Sequence, residues 1–460
     1  MRKIITALAV LAATSACSVA ASGAQGKPTV VIGYQSKTIN TVTAGTLLRK
    51  LGYFEKRLGG TYTVEWQDYD TGAPITAKMV AGKIDIGSMG DYPLLINASR
   101  TQAIDTARTE LVSTTGYNLR GGLNMVVVPK DSPARTLADL ANQKVSASVG
   151  SAGHGTLVQG LEKAGVDVEV VNQQPPVGAS ALESGAVQGY AQFVAWPGLV
   201  VFQDKARLLY DGSALSMPTF HGVVVRQAYA REHPDVVQAF LQAQIDATKY
   251  LHENPLEAAK SVAAETGLPP EVVYLYNGRN GVSTFDVTLK QQLRDAHAHD
   301  IPYLKKIGTD FQDIDLGKFV NDSYIRKAYG AAYDTAAAST VNPAAITGTD
   351  AACGIQVSDP AKAGEIWIGD ELKPAATPTC LLRQVASAAP GSVKAAYVPD
   401  TETGTHWFAD KAVWVKDPAA DKNDLFKPFT TAEAADLYVK AHPGAERIPY
   451  EEARKAGGSV

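Results

Sequence analysis

Several clusters of small polar residues carry the groups that could hold a ligand. Gln35, Ser36 and Thr38 follow a strand over 28–33. Ser88, Gly90, Asp91 and Tyr92 follow a short strand over 84–87. Ser151, Ala152 and His154, in the run to Gly155, follow a strand over 144–149. Ser113 to Tyr117 add hydroxyls near a chain crossing. A backbone approaches an oxyanion closely only where no bulky Cβ intervenes, which is what Gly90 and the 150–155 glycines provide. Unpaired N–H groups at helix starts then hold the negative charge. Trp196 could close one wall of such a pocket or pack inside a lobe. His154 stands among helix-start glycines, as a surface or supporting group or as a charge facing an anion. His221 packs a crossing. Asp91 opposes a bare anion; it either caps the helix that follows or meets an amine on the ligand.

Catalytic patterns do not emerge. The chain has no Gly-x-Ser-x-Gly, His-Glu-x-x-His, Cys-x-x-Cys or P-loop pattern. His297 and His299 are two apart, which on a helix separates their faces and argues against a shared metal. The chain therefore reads as a non-enzyme without cofactor or metal. Its net charge of −4 gives no pull toward nucleic acid.

These loops need elements to place them. Thr43 to Lys50 is a helix with Leu47, Leu48 and Leu51 on one face, followed by GYFE and a strand over 62–66. Residues 72–82 read as a helix ending at Gly82, then the strand 84–87, then a turn over 88–93. Strands over 124–129 and 144–149 precede the helix 156–164, and 179–184 is helical. Strand 219–225 leads back to a long helix over 236–252. Strand ends opening into helix starts predict an open α/β sheet with ligands at the carboxyl ends.

Three motifs, AGKIDIG at 81–87, LGYFE at 51–55 and RQAYAREHPDVVQAFL at 226–241, resemble substrate-binding proteins of the nitrate/sulfonate/taurine class of ABC importers. Gln188 departs from that pattern, where Asp is usual. The resemblance covers about residues 28–330. It implies a two-lobed periplasmic-binding-protein fold of type II, α/β in class. Lobe 1 would span 28–118 and 222–334 and lobe 2 122–217, with a hinge near 117–122 and 211–221.

Residues 335–350 read as a linker. Residues 351–460 form a small α+β domain whose CGI, TCLLRQV and DTETGTHWFADKAVWV segments resemble the NosL family of copper-handling lipoproteins. That family's Cys-Gly-Met is Cys353-Gly354-Ile355 here. No Met follows Met217, so a thioether ligand for Cu(I) is missing. Cys353 and Cys380 are expected to pair as a structural disulfide in an oxidising compartment; His406 and His442 remain possible nitrogen ligands. Residues 1–16 look like an export signal. Cys17 follows Thr14-Ser15-Ala16 and resembles a lipidated cysteine, with cleavage near Ala21–Ala24 as the rival; residues 1–27 are then signal and tether.

The reading is an exported, lipid-anchored or periplasmic monomer. It would capture a small anion or zwitterion of the nitrate, sulfonate or taurine class and deliver it to ABC permease subunits in the membrane. The alternatives are a copper-related accessory lipoprotein acting through the C-terminal domain, and a thiamine-precursor-class enzyme on the same lobes.

Overall fold

The computed structural model describes residues 26–307 and 310–459. Lobe 1 is built on a six-stranded sheet. Its strands are β1 (Thr29–Tyr34), β2 (Thr63–Asp68), β3 (Ile86–Gly90), β4 (Thr109–Asn118), β10 (Thr219–Arg226) and β11 (Thr284–Phe285). Their order across the sheet is β11-β4-β10-β3-β1-β2. Lobe 2 is built on β5 (Asn124–Pro129), β6 (Lys144–Ala147), β7 (Glu169–Asn172), β8 (Gly189–Phe193) and β9 (Ala206–Asp211), in the order β7-β6-β8-β5-β9. The chain passes between the sheets twice, through 119–123 and back through 212–218. The return strand begins at Thr219, where the sequence places it; its first residues Thr219 and Phe220 already pair with Asn118 and Tyr117 of β4, so lobe 1 resumes there rather than at 222.

Strand β1 feeds a 3-10 turn and the helix Thr46–Leu51, which Gly52 ends in the left-handed region (φ 63°). β2 leads into the helix Gly72–Val80 and β3 into Asp91–Thr101. In lobe 2, β6 leads into Ala152–Ala164, closed by Gly165 at φ 68°. The helix Pro234–Glu253 buries Val236, Val237, Phe240, Leu241 and Leu251 along one face, as its apolar spacing requires.

One local expectation is corrected. Ser88, Met89 and Gly90 are not a turn: β3 runs through them, and the next helix begins at once with Asp91. Pairing of Ser88 with Val223, Met89 with Gly222 and Gly90 with His221 on β10 holds them extended.

The segment after lobe 1 is docked rather than hanging free. Its start is the helix Tyr333–Ala338, and Ile346 is wholly buried. The Asn280 N–H donates to the Ala344 carbonyl (2.9 Å), and Asn280 Oδ1 accepts from the Ile346 N–H (2.8 Å).

Beyond it lies a small α+β unit. It contains the pair β12 (Thr349–Asp350) and β13 (Ile355–Gln356). A four-stranded sheet uses β14 (Gly364–Ile368), β15 (Glu371–Ala375), β16 (Val393–Pro399) and β17 (His406–Phe408). A three-stranded sheet uses β18 (Val413–Lys416), β19 (Phe426–Phe429) and β20 (Glu446–Ile448). The helix Pro378–Ser387 lies against the four-stranded sheet, its start capped by the Thr377 hydroxyl. One face of this unit is not solvated. Trp367, Tyr397, Trp407 and Phe408 join the same buried cluster as Tyr274, Tyr276 and the apolar core of lobe 2.

Candidate functional site

A cavity of about 180 Å³ lies between the two sheets. Lobe 1 contributes Gln35 after β1, Thr71, Gly72 and Ala73 after β2, and Gly90, Pro93 and His221 around β3 and β10. Lobe 2 contributes Ser148 to Ala152 after β6, Asn172 and Gln174 after β7, and Phe193 at the end of β8. Every contribution follows from a strand end, the position at which open α/β sheets collect ligands.

Two helix starts point N–H groups into this space. The helix Gly72–Val80 has no side-chain cap, and the Thr71 hydroxyl before it is buried without a partner. The helix Ala152–Ala164 is capped by Ser151, whose hydroxyl accepts from the His154 N–H (3.2 Å). That leaves the first-turn amides of Ala152 and Gly153 without an intrahelical acceptor. A Cβ on Gly72 would meet Pro93 at 2.7 Å, so the approach of this turn to the helix Asp91–Thr101 requires glycine.

His221 supplies a directed donor. Burial depresses its pKa to about 3, so the ring is neutral. Asn40 Nδ2 lies 2.5 Å from its Nδ1 and also donates to the Gly116 carbonyl (3.4 Å). An amide donor on Nδ1 puts the ring proton on Nε2, the nitrogen beside Gly90. Gln35 is fixed as well: its Nε2 donates to the Ser88 carbonyl (3.2 Å) and its Oε1 accepts from the Thr38 hydroxyl (3.4 Å). The lining contains no Asp, Glu, Lys or Arg. Its polar lining is made of helix-start dipoles and neutral groups, and Phe193, Pro93, Ala73 and Val149 add apolar wall.

Of the residues named from the sequence, Gln35, Gly90, Ser151 and Ala152 line this cavity. Ser36 is tied instead to Asp68, with its hydroxyl 2.6 Å and its N–H 2.8 Å from the carboxylate. Thr38 supports Gln35 from behind. Ser88 lies within β3, buried, offering only its carbonyl to Gln35. Asp91 is turned away from the cavity. Its carboxylate accepts from the Tyr92 N–H and from the Thr219 hydroxyl and Phe220 N–H on β10. Burial raises its pKa to about 6 against the pull of those donors. Asp91 therefore braces the first turn of its helix against β10.

Tyr92 reaches across the lobes outside the cavity. Its hydroxyl accepts from Gln159 Nε2 (3.0 Å) and donates to Asp300, and its ring fills the space over Gly155. His154 is buried; its Nδ1 accepts from the Gly150 N–H (3.4 Å), and burial lowers its pKa to about 4. Trp196 takes the packing role, 5 % exposed in the core at a helix start, with Lys37 Nζ 5.8 Å above its ring. Ser113 to Tyr117 lie inside β4, with Ser113 donating to Gln244 (2.7 Å). His297 is buried against Phe220, ring centroids 4.5 Å apart.

Sequence reasoning missed Thr71 to Ala73, Asn172, Gln174 and His221 as cavity residues. The signal for Thr71 was present: strand, small residues and Pro74 repeat the strand-end pattern used for the other loops. Asn172 and Gln174 carried no such mark.

The C-terminal cysteines are joined, with Cα atoms 5.8 Å apart. Asp350 beside them accepts from the N–H groups of Ala352, Cys353 and Ala376 and from Gln384, so it organises the loop. Bonded sulfurs offer no thiolate to a metal. His442 stacks on Tyr438 at 3.7 Å between centroids. Cys17 lies outside the described residues.

Residues 68–258 match the family model described as NMT1/THI5 like. The taurine-binding periplasmic protein of Escherichia coli (strain K12) is 28 % identical over 237 residues, 49 % of this chain and 70 % of that protein. The alkanesulfonate-binding protein SsuA from Xanthomonas axonopodis pv. citri bound to MOPS superimposes with a TM-score of 0.55 at 22 % identity, covering 65 % of this chain and all of that one. The periplasmic aliphatic sulphonate binding protein SsuA from Escherichia coli gives 0.51 at 21 % identity, over 63 % and 94 %. The chain thus carries an NMT1/THI5-like region, similar in sequence to a taurine-binding periplasmic protein, within the fold of the periplasmic binding proteins.

Proposed function

We propose that the chain is the solute-binding component of an ABC importer and that its cleft takes a small sulfonate. The observation that carries this reading is the cavity itself, where two uncapped or partly capped helix starts from opposite lobes meet Thr71, Ser151 and neutral His221. A tetrahedral anionic head fits amides and hydroxyls converging from both sides. A short apolar tail fits Phe193 and Pro93. At ~30 Å³ per water-sized group the space holds roughly six such groups, the scale of a C2 to C4 sulfonate. Taurine is less well served: its ammonium would meet no carboxylate, since Asp91 is already bonded to β10.

Delivery to the permease follows from two lobes closing on the solute, and export with a lipid on Cys17 would hold the protein at the outer face of the cytoplasmic membrane. The E. coli relative is a binding protein, and the cleft presents no acid, lysine or cysteine for turnover. The NosL-like reading of residues 351–460 remains a proposal of ancestry. A thermal-shift panel over ethanesulfonate, butanesulfonate, taurine, nitrate, cyanate and bicarbonate tests the assignment. Alkanesulfonates should raise the midpoint most, because a ligand of the folded state alone stabilises it by mass action. A shift with nitrate but none with sulfonates would overturn the solute class.

A further inference from the structure

The disulfide of the C-terminal unit has surroundings that a staple does not need. Cys380 is the third residue of the helix Pro378–Ser387 and is wholly buried, whereas Cys353 lies half-buried in the turn between β12 and β13. Ala351, Ala352, Gly354 and Ile355 around it are exposed. Gly354 sits at φ 67° with nothing within 4 Å of where a Cβ would stand, so the space beside Cys353 is open.

Arg383 follows Cys380 by three residues, on the same face of that helix. Its Nη1 donates to Cys353 Sγ (2.9 Å). Its other partners among the described residues are neutral, the Asn423 side-chain oxygen (2.8 Å) and the Lys422 carbonyl (3.1 Å). One carboxylate opposes it: Asp350, with an oxygen within 4.8 Å of both sulfurs. That carboxylate already accepts from three backbone N–H groups and from Gln384 Nε2, which spread its charge.

A bonded sulfur carries no charge, so a cation on it adds little to a bond kept only for stability. The cation gains when the bond opens and the sulfur becomes a thiolate. The other sulfur is favoured as a leaving group too, because Cys380 stands in the first turn of a helix. We infer that the Cys353–Cys380 bond is a thiol-exchange site, opened by a small-molecule thiol, in which Arg383 holds the Cys353 thiolate. The reductant's thiolate attacks the sulfur of Cys353, the less buried of the two, and the S–S electron pair leaves on Cys380 Sγ. A second thiolate attacks the outer sulfur of the mixed disulfide, the Cys353 thiolate leaves beside Arg383, and the reductant departs as its own disulfide. Two electrons enter the chain, and Cys380 Sγ takes a proton from water. Opening leaves the turn in place, because Asp350 still accepts from the Ala376 N–H and from Gln384. The site does not depend on which solute the cleft binds.

Reduced glutathione added to the folded full chain tests this, with opened bonds counted by alkylation and mass spectrometry. The wild type should open about tenfold or more faster than Arg383→Gln, and its equilibrium with glutathione should lie toward the dithiol by a similar factor. Arg383→Lys should recover part of both. Circular dichroism checks that each variant is folded. In the reduced wild type the pH midpoint of Cys353 alkylation should fall below the usual ~8.5, a readout that needs no variant. A bond that opens only once denaturant unfolds the chain, equal rates and equilibria in wild type and Arg383→Gln, or a Cys353 midpoint at or above ~8.5 would overturn the proposal.

Discussion

At the level of single residues, the proposed reading makes Thr71 and His221 the donors that distinguish solutes in the cleft. The Thr71 hydroxyl is buried without a partner, and in the proposed reading the bound anion supplies one. Thr71→Val keeps the shape and removes the donor. It should weaken sulfonate binding by about 1.5–3 kcal/mol, roughly ten- to a hundredfold in Kd, with little change in the unliganded unfolding midpoint. Gly90 is a poorer probe, because any Cβ there meets the His221 ring at 3.0 Å and disturbs the Asn40–His221 pair as well as the cleft.

Asp300 offers a separate test by pH. It is buried beside Tyr92, His299 and Asp91, and burial raises its pKa from 3.8 to about 7. The folded state then holds this proton more tightly than the unfolded chain. The stabilising contribution is complete below about pH 4 and is lost as pH rises through about 7. Buried His221 and His297, depressed to about 3, act with the opposite sign from there to about 6.5. They are common to both proteins in a comparison with Asp300→Asn. Urea midpoints across this range should show the wild type losing stability with pH relative to Asp300→Asn; parallel profiles would contradict the assignment.

At the scale of elements, the helix Ala152–Ala164 does two things. Its start lines the interlobe cavity, and its next turn meets lobe 1 through Gly155 and Gln159. A Cβ at residue 155 would lie 2.2 Å from a Tyr92 ring carbon. Gly155→Ala should therefore hold the lobes apart and weaken solute binding by about 1–3 kcal/mol, the usual cost of overpacking. Tyr92→Phe keeps the contact and drops only the Gln159 and Asp300 hydrogen bonds, so its effect on affinity should be smaller. Calorimetry on the two variants ranks them. In the C-terminal unit the Cys353–Cys380 bond closes a short loop, and Cys353→Ala/Cys380→Ala should cost about 2–4 kcal/mol in denaturant unfolding.

Much of this arrangement was legible in the sequence, for a physical reason. Gly82 and Pro74 punctuate the chain locally, so the order of strands and helices could be read from short windows, while the strand at 84–87 in fact runs on to Gly90 and the helix expected from 156 starts at Ala152. Ser88 could not be read that way. Its conformation is fixed by pairing with Val223, more than a hundred residues away. The orientation of Asp91 depends on Thr219 and Phe220, and the burial of Trp196 and His154 on packing within the folded lobe. His221 was placed at the right crossing, but its role in the cleft follows from Asn40, which no spacing connects to it.

For the whole molecule, the C-terminal unit is bound to both lobes rather than strung behind them. Tyr397 donates to the Glu271 carbonyl (3.0 Å), Arg279 pairs with Glu365 (3.2 Å), Phe408 packs on Phe202 and Lys411 pairs with Asp204. A chain ending after Ala338 would expose Tyr274, Tyr276 and Phe202 as one apolar patch. It should unfold at a lower temperature than the full chain and self-associate, as light scattering would show. A monodisperse truncated protein of unchanged midpoint would mean the contacts add nothing.

The account rests on a sulfonate-sized anion held between two lobes, and calorimetric titration of ethanesulfonate into the full chain, in parallel with Thr71→Val, tests that most directly. One saturable site per chain, weakened at least about tenfold in Thr71→Val, is the predicted result. No binding heat from ethanesulfonate across calorimetric temperatures, or equal affinity in the two proteins, would contradict it.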